Sequence, residues 1–424
     1  MKIPITHQKK DQKSKHHSYL IMSLLLTIVL TCSIFTGCSS SKQTTANADV
    51  NETTEATQEV TTQEVTTSHP QTQIDLMMIG DILAHEGVYK SGLQPDGNYN
   101  YDHLFAHILP DIQSSDLRIV NQETILGGVE LGLSGYPCFN SPYELGDAEV
   151  KAGFNVILHA TNHTIDKGLT GVENCLNFWQ TKHPETTVLG INKDKTSYDN
   201  INVYNKDGFK VALLNYTYGT NGIAIPSSNP YCVNLLDKDK ITADVAKAKQ
   251  MADMVIVFPH WGTEYVYTPD DSQKMWTNLF LDLGVDVVIG AHPHVVEPVE
   301  LLTSSTGHQM LVYYSLGNFV SNQDQKPRMV GGMAKVSLVK DTDGTCYIKQ
   351  YSLEPLVTQK LFGTSLITTY KLTDYTEDLA QKNAIRKDSG CSDFSLLYCE
   401  NLAKQILGDT YDPATKSIQV QLHK

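Results

Sequence analysis

Short, largely apolar runs recur between residues 74 and 314, and most of them end at glycine or at a polar residue. Runs of roughly four to eight apolar residues with such boundaries are typical of buried strands. The pattern therefore predicts seven strands, at residues 74–79, 117–120, 154–158, 209–215, 255–258, 285–289 and 309–314.

Between several of these strands, apolar residues recur at the spacing of one helix face. They predict helices at residues 101–112, 172–182, 240–251 and 272–283. Strands that alternate with helices favour an α/β fold. After them, residues 331–357 predict two antiparallel strands that turn at Asp343-Gly344. The weaker periodicity beyond that point predicts a small helical appendage at residues 361–424.

Residues 1–37 predict a lipoprotein signal peptide rather than a part of the fold. A basic region precedes an apolar run at residues 20–35, and small residues precede Cys38. This order resembles a lipoprotein cleavage box, after which Cys38 becomes the lipidated first residue. The alternative is an uncleaved anchor helix, although the run is shorter than the roughly 20 residues that span a bilayer. Both alternatives place the body outside the cytoplasmic membrane and tether it there.

A segment rich in Thr, Ser, Gln and Glu, at residues 38–73, separates this signal from the body. Its pentapeptide at residues 58–62 is repeated at once at residues 63–67. Such a composition cannot bury enough apolar surface to order itself. The segment therefore predicts a disordered tether, and the globular domain is expected at residues 74–360.

The charge of the chain excludes one class of partner. The formal net charge is −14, and the basic N-terminal region leaves the body still more acidic. Nucleic-acid binding through phosphate neutralisation is therefore not expected. Of the eight cysteines, the six in the body have no C-x-x-C spacing. In a body of this size they favour buried free thiols over a disulfide framework.

Several predicted strands end at residues that bind metal ions in proteins. These residues are Asp81, Glu123, Asn162, His163, His260, His292 and His294. Because ligands gather at the carboxyl ends of strands in open α/β sheets, we expect one shared site. Imidazoles with two carboxylates and an amide suit one or two divalent transition-metal ions, such as manganese, iron or zinc. Two such ions, roughly 3.5–4 Å apart, activate water for displacement at phosphorus.

Six motifs that follow one another along residues 74–340 resemble those of the CapA family, which belongs to the calcineurin-like metallophosphatase superfamily. They are Gly80-Asp81, Asn121-Gln122-Glu123, the segment at 160–168, the segment at 260–265, Gly290-Ala291-His292-Pro293-His294 and the segment at 314–319. CapA proteins are associated with synthesis of poly-γ-glutamate capsules. The resemblance implies a four-layer αββα sandwich of the metallophosphatase type.

The resemblance also implies a role for each residue of the constellation. The metal ligands would be Asp81, Glu123, Asn162, His260, His292 and His294. Among these, Glu123 takes the place of the superfamily's bridging aspartate. His163 would act as a general acid or stabilise charge, and Glu264 would contact the substrate or support a ligand.

The first motif departs from the wider superfamily, which usually has Asp-x-His where this chain has Leu83 at the third position. The CapA family commonly lacks that histidine as well. His85 is a candidate replacement ligand, and the count of metal ions stays open at one or two.

The residues lead to three hypotheses of function. The first is a membrane-tethered, extracytoplasmic metal-dependent hydrolase that acts on poly-γ-glutamate or another envelope polymer. The second is a non-catalytic component that binds the polymer or its synthesis and export machinery. The third is a solute-binding lipoprotein, in which the histidine constellation would have no role. A test of His163 separates the first two, because a scaffold does not need it.

Other residues near these motifs have a structural interpretation. His159 is expected to pack at the end of its strand. Trp261, Tyr265 and Tyr267 could line a substrate groove or pack in the core, and packing is the favoured interpretation. Asn318 could be a turn former or a functional residue, since Gly-Asn pairs favour tight turns.

Overall fold

A computed structural model describes residues 70–363 and 365–423. The predicted signal peptide, most of the predicted tether and the predicted lipidation of Cys38 lie outside the described residues. Within the described ranges, no helix is both long enough and apolar enough to cross a bilayer.

The described residues form sixteen strands. They are β1 (Thr72–Ile82), β2 (Leu117–Gln122), β3 (Val156–Leu158), β4 (Thr187–Leu189), β5 (Asn202–Lys206), β6 (Phe209–Thr217), β7 (Met254–His260), β8 (Val287–Ile289), β9 (Val299–Thr303), β10 (Gln309–Tyr313), β11 (Asn318–Val320), β12 (Val330–Lys340), β13 (Cys346–Lys360), β14 (Ile367–Lys371), β15 (Tyr411–Asp412) and β16 (Ser417–Gln421). All seven strands that the apolar runs predict are present. The predicted antiparallel pair is β12 and β13.

Ten α-helices accompany these strands in the described part of the chain. They are α1 (Glu86–Ser91), α2 (Asp102–Phe105), α3 (Leu109–Gln113), α4 (Tyr143–Ala152), α5 (Gly168–Lys182), α6 (Lys195–Tyr198), α7 (Lys238–Met251), α8 (Asp271–Leu283), α9 (Glu377–Gln381) and α10 (Leu396–Leu407). The helix predicted at residues 101–112 is divided between α2 and α3. Pro110 lies in the first turn of α3, because it lacks the N–H group that a continuous helix would need there.

The strands form two sheets. The larger has the order β15-β16-β13-β12-β1-β2-β3-β4, with β11 beside β1 and β14 beside β13. The smaller has the order β5-β6-β7-β8-β10-β9. The strands β1 to β4 run parallel to one another, and so do β6, β7 and β8. Their carboxyl ends therefore meet along one edge of each sheet.

Alternate side chains of the strands point to opposite faces, which explains the layers. On β1, Leu76 and Met78 join an apolar cluster that also contains Phe258 of the smaller sheet. Met77 and Ile79 join a second cluster with residues of α2, α4 and α5. A third cluster lies between the smaller sheet and the helices α7 and α8. Helix, sheet, sheet and helix layers result, which confirms the predicted αββα sandwich.

The C-terminal segment differs from the expected helical appendage. The strands β14 and β16 both pair with β13, so residues beyond 361 extend the larger sheet. Phe394, just before α10, and Leu402, on that helix, belong to the cluster between the sheets. Strands of two to five residues carry too few alternations to be predicted. At the other end, β1 begins at Thr72, within the segment predicted as tether.

All six cysteines that the structure describes are free. This agrees with the prediction that the body has no disulfide framework. Four of them are buried, as expected of small apolar residues.

Candidate metal centre

The carboxyl ends of four strands bring five of the predicted ligands together. Asp81 is the last residue but one of β1, and Glu123 directly follows β2. The first histidine of the smaller sheet, His260, ends β7. His292 and His294 follow β8, where Ala291 pairs with His260. All of these side chains are buried.

The centre of the site is a group of three buried residues, Glu123, His292 and His294. One potential ligand atom of each lies within 4.8 Å of the others. Neither carboxylate oxygen of Glu123 has a hydrogen-bond partner among the described residues, and neither does Nδ1 of His292. Unpaired polar atoms are rare inside proteins because leaving them without a partner costs free energy. A divalent cation would satisfy all three atoms, so the residues present fit a metal ion.

Asp81 extends this group on one side. Its Oδ1 accepts a hydrogen bond of 2.8 Å from Nδ2 of Asn121. Its Oδ2 lies 3.3 Å from the backbone nitrogen of His292 and 3.3 Å from Nδ1 of His294. The carboxylate is therefore oriented towards the two histidines and carries only partial hydrogen bonding.

Asn162 and His260 extend the group on the other side. Nε2 of His260 lies 2.8 Å from Oδ1 of Asn162 and 3.7 Å from Oε1 of Glu123. The rings of His260 and His292 lie 4.9 Å apart. The six predicted metal ligands thus form one continuous set of contacts.

The electrostatic setting keeps His260 and His292 neutral. Burial lowers the pKa of His260 well below its usual range, and the neighbouring His292 and His294 lower it further. Burial and then His294 have the same effect on the pKa of His292. Neutral imidazole is the form that binds metals. Burial and then Asp81 raise the pKa of Glu123 well above its usual range, as expected for two buried carboxylates that lie close together.

His163 lies at the edge of the group and faces an open cavity of about 940 Å³. Its Nδ1 lies 2.7 Å from Oδ2 of Asp166, and its ring makes a T-shaped contact with the ring of Phe139. Because a carboxylate can only accept, Nδ1 carries the proton and Nε2 is left for chemistry. Asn162 and His294 line the same cavity, so it gives access to the buried group.

Glu264 and His85 lie away from the buried group. Glu264 is exposed at the rim of the cavity. His85 also lines the cavity, but its Nδ1 lies 3.2 Å from the carbonyl oxygen of Leu83, and its ring packs on Phe139. Burial lowers the pKa of His85 to about 4. Within the described residues, the close ligand group does not include the proposed replacement His85.

Two polar residues of the site, Asn121 and Asp166, had no role in the sequence analysis, and for a third, Asn318, the sequence leaves a turn former and a functional residue as alternatives. Asn318 lies beside Asp81 in the larger sheet, and its Oδ1 is 3.1 Å from Nδ1 of His294. Its Nδ2 lies within hydrogen-bond distance of Ser321 and Gln323. All three residues fall inside the quoted motifs, so the motifs themselves are the signal.

Backbone conformation also singles out this site. The described residues include six non-glycine residues with positive φ, and four of them line the cavity or the metal group. These four are Asn221, Tyr265, His292 and His294. Such conformations are costly for residues with a side chain and gather at functional sites. Their concentration here favours a functional constellation over chance contacts.

Among the residues that were expected to pack, His159 and Trp261 do so and Tyr265 does not. Nε2 of His159 accepts a hydrogen bond of 2.9 Å from the indole of Trp179, which agrees with the expected packing role. The indole of Trp261 is buried and donates to the carbonyl of Tyr314. Tyr265 differs from its expected packing role, because it is 40% exposed and lines the cavity.

The sequence profile of the family described as "Bacterial capsule synthesis protein PGA_cap" matches residues 75–323. The match includes every predicted ligand and more than half of the chain. The chain belongs to this family. Membership confirms the resemblance to the CapA proteins that the motifs indicated.

Two curated relatives are similar to this chain. PGA biosynthesis protein CapA of Bacillus subtilis (strain 168) is 26% identical over 284 residues, which cover 63% of this chain and 68% of that protein. Capsule biosynthesis protein CapA of Bacillus anthracis is 27% identical over 261 residues, which cover 59% of this chain and 60% of that protein.

Two solved structures also overlap in part with this chain. The NAD nucleotidase of Haemophilus influenzae has a TM-score of 0.43 at 14% identity, over 68% of this chain and 56% of that one. A 5'-nucleotidase precursor from Thermus thermophilus has a TM-score of 0.41 at 15% identity, over 68% of this chain and 54% of that one. The layers and the site described above rest on this chain's own contacts.

Proposed function

We propose that this protein is a metal-dependent hydrolase of the bacterial envelope that acts on poly-γ-glutamate or another capsule polymer. The observation that supports a metal centre is the buried, unpaired carboxylate of Glu123 beside His292 and His294. Membership of a capsule synthesis family supports the polymer as the class of substrate. In this proposal the lipidated Cys38 anchors the protein outside the cytoplasmic membrane.

The residues of the site fit the requirements of hydrolysis. One or two divalent ions (manganese, iron or zinc), when bound, would polarise a water molecule and stabilise charge at the attacked centre. Glu123, His292 and His294 would hold the first of these ions, with Asp81 close by. We assign to Nε2 of His163 the transfer to the leaving group of the proton that it first accepts from the attacking water. Asp166 holds that imidazole in the required orientation.

The open cavity is consistent with a polymeric substrate. Its volume of about 940 Å³ is at the upper end of the range for ligand pockets, which is roughly 300–1,000 Å³. Its lining includes His163, Asn162 and Glu264, so a chain that crosses it would pass in front of the buried ligands.

Elemental analysis of the purified full chain tests the metal centre. We expect at least one transition-metal ion per chain in the wild type and its loss in the His292→Ala/His294→Ala double variant. The matched control is His85→Ala, which removes a histidine of the same cavity outside the ligand group and should keep the metal. A wild type that takes up no metal on reconstitution would rule out the hydrolase.

The alternative is a non-catalytic component that binds the polymer or its synthesis and export machinery. Leu83, at the position where the wider superfamily has a histidine ligand, favours this alternative. His163→Ala separates the two, because it leaves the proposed ligands in place. A folded His163→Ala protein that supports a normal capsule would favour the accessory role.

A further inference from the structure

The cavity in front of the metal group is lined by more acidic side chains than permanently basic ones. Among its described lining residues, Arg328 is the one side chain with a permanent positive charge. The acidic lining residues are Asp166, Glu264 and Asp324. With a formal net charge of −14, the protein as a whole repels anions. A cation at this place therefore has a large effect on which substrates enter.

Arg328 is held with its donor groups available. Its Cζ lies 3.6 Å from the centre of the Tyr265 ring, so the guanidinium is stacked on the aromatic face. Stacking uses the face of the guanidinium and leaves the N–H groups at its edge free to donate. Among the described residues, its ion-pair partner is Asp324, whose Oδ1 lies 3.4 Å from Nη1. The side chain of Asp324 is 73% exposed, so this pair is weak.

The position of Arg328 is coupled to the predicted metal ligands. Nδ2 of Asn318 lies 3.2 Å from the carbonyl oxygen of Arg328, and Oδ1 of the same amide lies 3.1 Å from Nδ1 of His294. The rings of Tyr265 and His294 lie 5.9 Å apart. One tyrosine ring thus separates the guanidinium from a predicted metal ligand.

Specific contacts hold Tyr265 in an unfavourable backbone conformation below the guanidinium of Arg328. Its φ of 67° is in the left-handed region, which is unfavourable for an aromatic residue. The backbone nitrogen of Tyr265 donates to the carbonyl oxygen of Pro293, between the two histidines, at 2.8 Å. Nε2 of Gln323 lies 3.3 Å from its hydroxyl. These contacts hold the ring where it supports Arg328.

We propose that Arg328 binds an anionic oxygen group of the substrate beside the attacked centre and makes the cavity selective for anionic polymers. The planar guanidinium matches both carboxylate and phosphate in a bidentate manner, so either group fits. The inference rests on the proposed function, since it assigns the class of substrate to the same cavity.

Isothermal titration calorimetry of the full chain with two probes tests this inference. The probes are tetra-γ-glutamate, which offers carboxylates, and a glycerol phosphate trimer, which offers phosphates. We expect Arg328→Gln to raise the Kd of one probe at least about tenfold, as a lost charge-assisted hydrogen bond predicts. Arg328→Lys keeps the charge but loses the planar donors, and it should give an intermediate Kd. The probe that responds identifies the anionic group.

Lys326→Gln is the matched control. Lys326 lies on the same turn, Lys326–Met329, and the substitution removes the same charge. Its Nζ pairs with Asp393 and it does not line the described cavity. We expect its Kd to change less than about twofold, because a charge outside the cavity acts only through screened long-range interaction. Circular dichroism of each variant confirms that it is folded.

Three outcomes would overturn the inference: wild type that binds neither probe, Arg328→Gln that binds as wild type does, or equal weakening by Arg328→Gln and Lys326→Gln. Metal content, measured on the same samples, separates this failure from that of the hydrolase. Normal metal with no effect of Arg328→Gln would overturn only the anion site. Arg328-dependent binding without any metal would support the anion site and overturn the hydrolase.

Discussion

The imidazole of His163 donates from Nδ1 to Oδ2 of Asp166 over 2.7 Å, in a buried pair three residues apart. The backbone nitrogen of Phe139 donates to the same oxygen at 2.7 Å. The carboxylate is therefore fixed from two directions and selects the tautomer that leaves Nε2 free. An orientation of this kind is what a proton-transferring histidine requires.

We predict that Asp166→Asn lowers kcat by about 100-fold or more, the typical contribution of acid–base catalysis. The amide keeps the size of the side chain but can donate to Nδ1 and so favour the other tautomer. The measurement is steady-state hydrolysis of bis-p-nitrophenyl phosphate, with metal content determined in parallel.

Asp147→Asn is the control for this prediction, because Asp147 also pairs with a histidine, at 2.7 Å from Nε2 of His183, but on the surface. It should leave kcat unchanged. Equal activity of Asp166→Asn and the wild type would show that His163 needs no partner and would remove its proposed role.

We predict that Glu123→Gln stabilises the metal-free protein while it weakens metal binding. Burial raises the pKa of Glu123 above its ordinary value of 4.5, so the folded state binds more protons than the unfolded state. The contribution of this group to the free energy of unfolding therefore falls as pH rises above 4.5. Removal of the charge should raise the stability of the metal-free protein by roughly 1–3 kcal/mol at pH 8, and by little near pH 4.

Urea unfolding of metal-free and metal-loaded samples at several pH values measures this effect. Glu149→Gln is the matched control, because Glu149 is also a buried carboxyl with no partner among the described residues and a raised pKa. It should show the same pH trend and keep the metal. A Glu123→Gln protein with wild-type metal content would contradict the assignment of Glu123 as a ligand.

Sequence patterns predicted the fold and the grouping of the proposed ligands because both depend on short-range signals. Strand ends such as Asp81 and His260 can be read where an apolar run stops, and parallel strands bring such ends together. The role of Asn318 could not be read in this way. It depends on β11 lying beside β1, a pairing between distant segments of the chain. The stacking of Arg328 on Tyr265 is hidden for the same reason.

The errors in the fold have identifiable physical causes. Apolar spacing at residues 101–112 continues across Pro110, but the backbone hydrogen bonds do not. Beyond residue 361 the short strands β14 and β16 depend on the long strand β13 for their pairing. Their few residues hold less periodicity than α10, so the sequence pattern predicts a helical segment there.

We predict that Trp179→Phe lowers the free energy of unfolding without loss of metal. Burial lowers the pKa of His159 to about 3, so its ring is neutral and accepts from the indole of Trp179. Loss of the indole donor leaves Nε2 with only the weak Cys175 thiol, whose Sγ lies 3.6 Å away, and should cost about 1–3 kcal/mol. Chemical denaturation measures the change, and Trp276→Phe, whose indole has no partner in the described part of the chain, should cost less. Loss of metal in Trp179→Phe would show that His159 is linked to the site.

The last prediction concerns Gly80, the residue before Asp81. A Cβ atom at this position would lie 1.9 Å from the carbonyl oxygen of Gly317, which accepts the backbone hydrogen bond of Asp81. The backbone of Gly317 can move away from this Cβ atom only if the neighbouring Asn318 moves as well, and Asn318 contacts His294. We therefore expect Gly80→Ala to lower the free energy of unfolding by about 3 kcal/mol and to reduce metal content.

Gly219→Ala is the control for Gly80→Ala, because a Cβ atom at Gly219 would have no described atom within 4 Å. Its stability and metal content should equal those of the wild type. Thermal unfolding with elemental analysis of both variants decides the question. If Gly80→Ala were as stable and as metal-rich as Gly219→Ala, the close approach of β1 to the chain before β11 would not be what positions Asp81. The close approach of the two segments places Asp81 beside Asn318 in the sheet. If Gly80→Ala pushes the two segments apart, Asp81 should therefore also move away from His294.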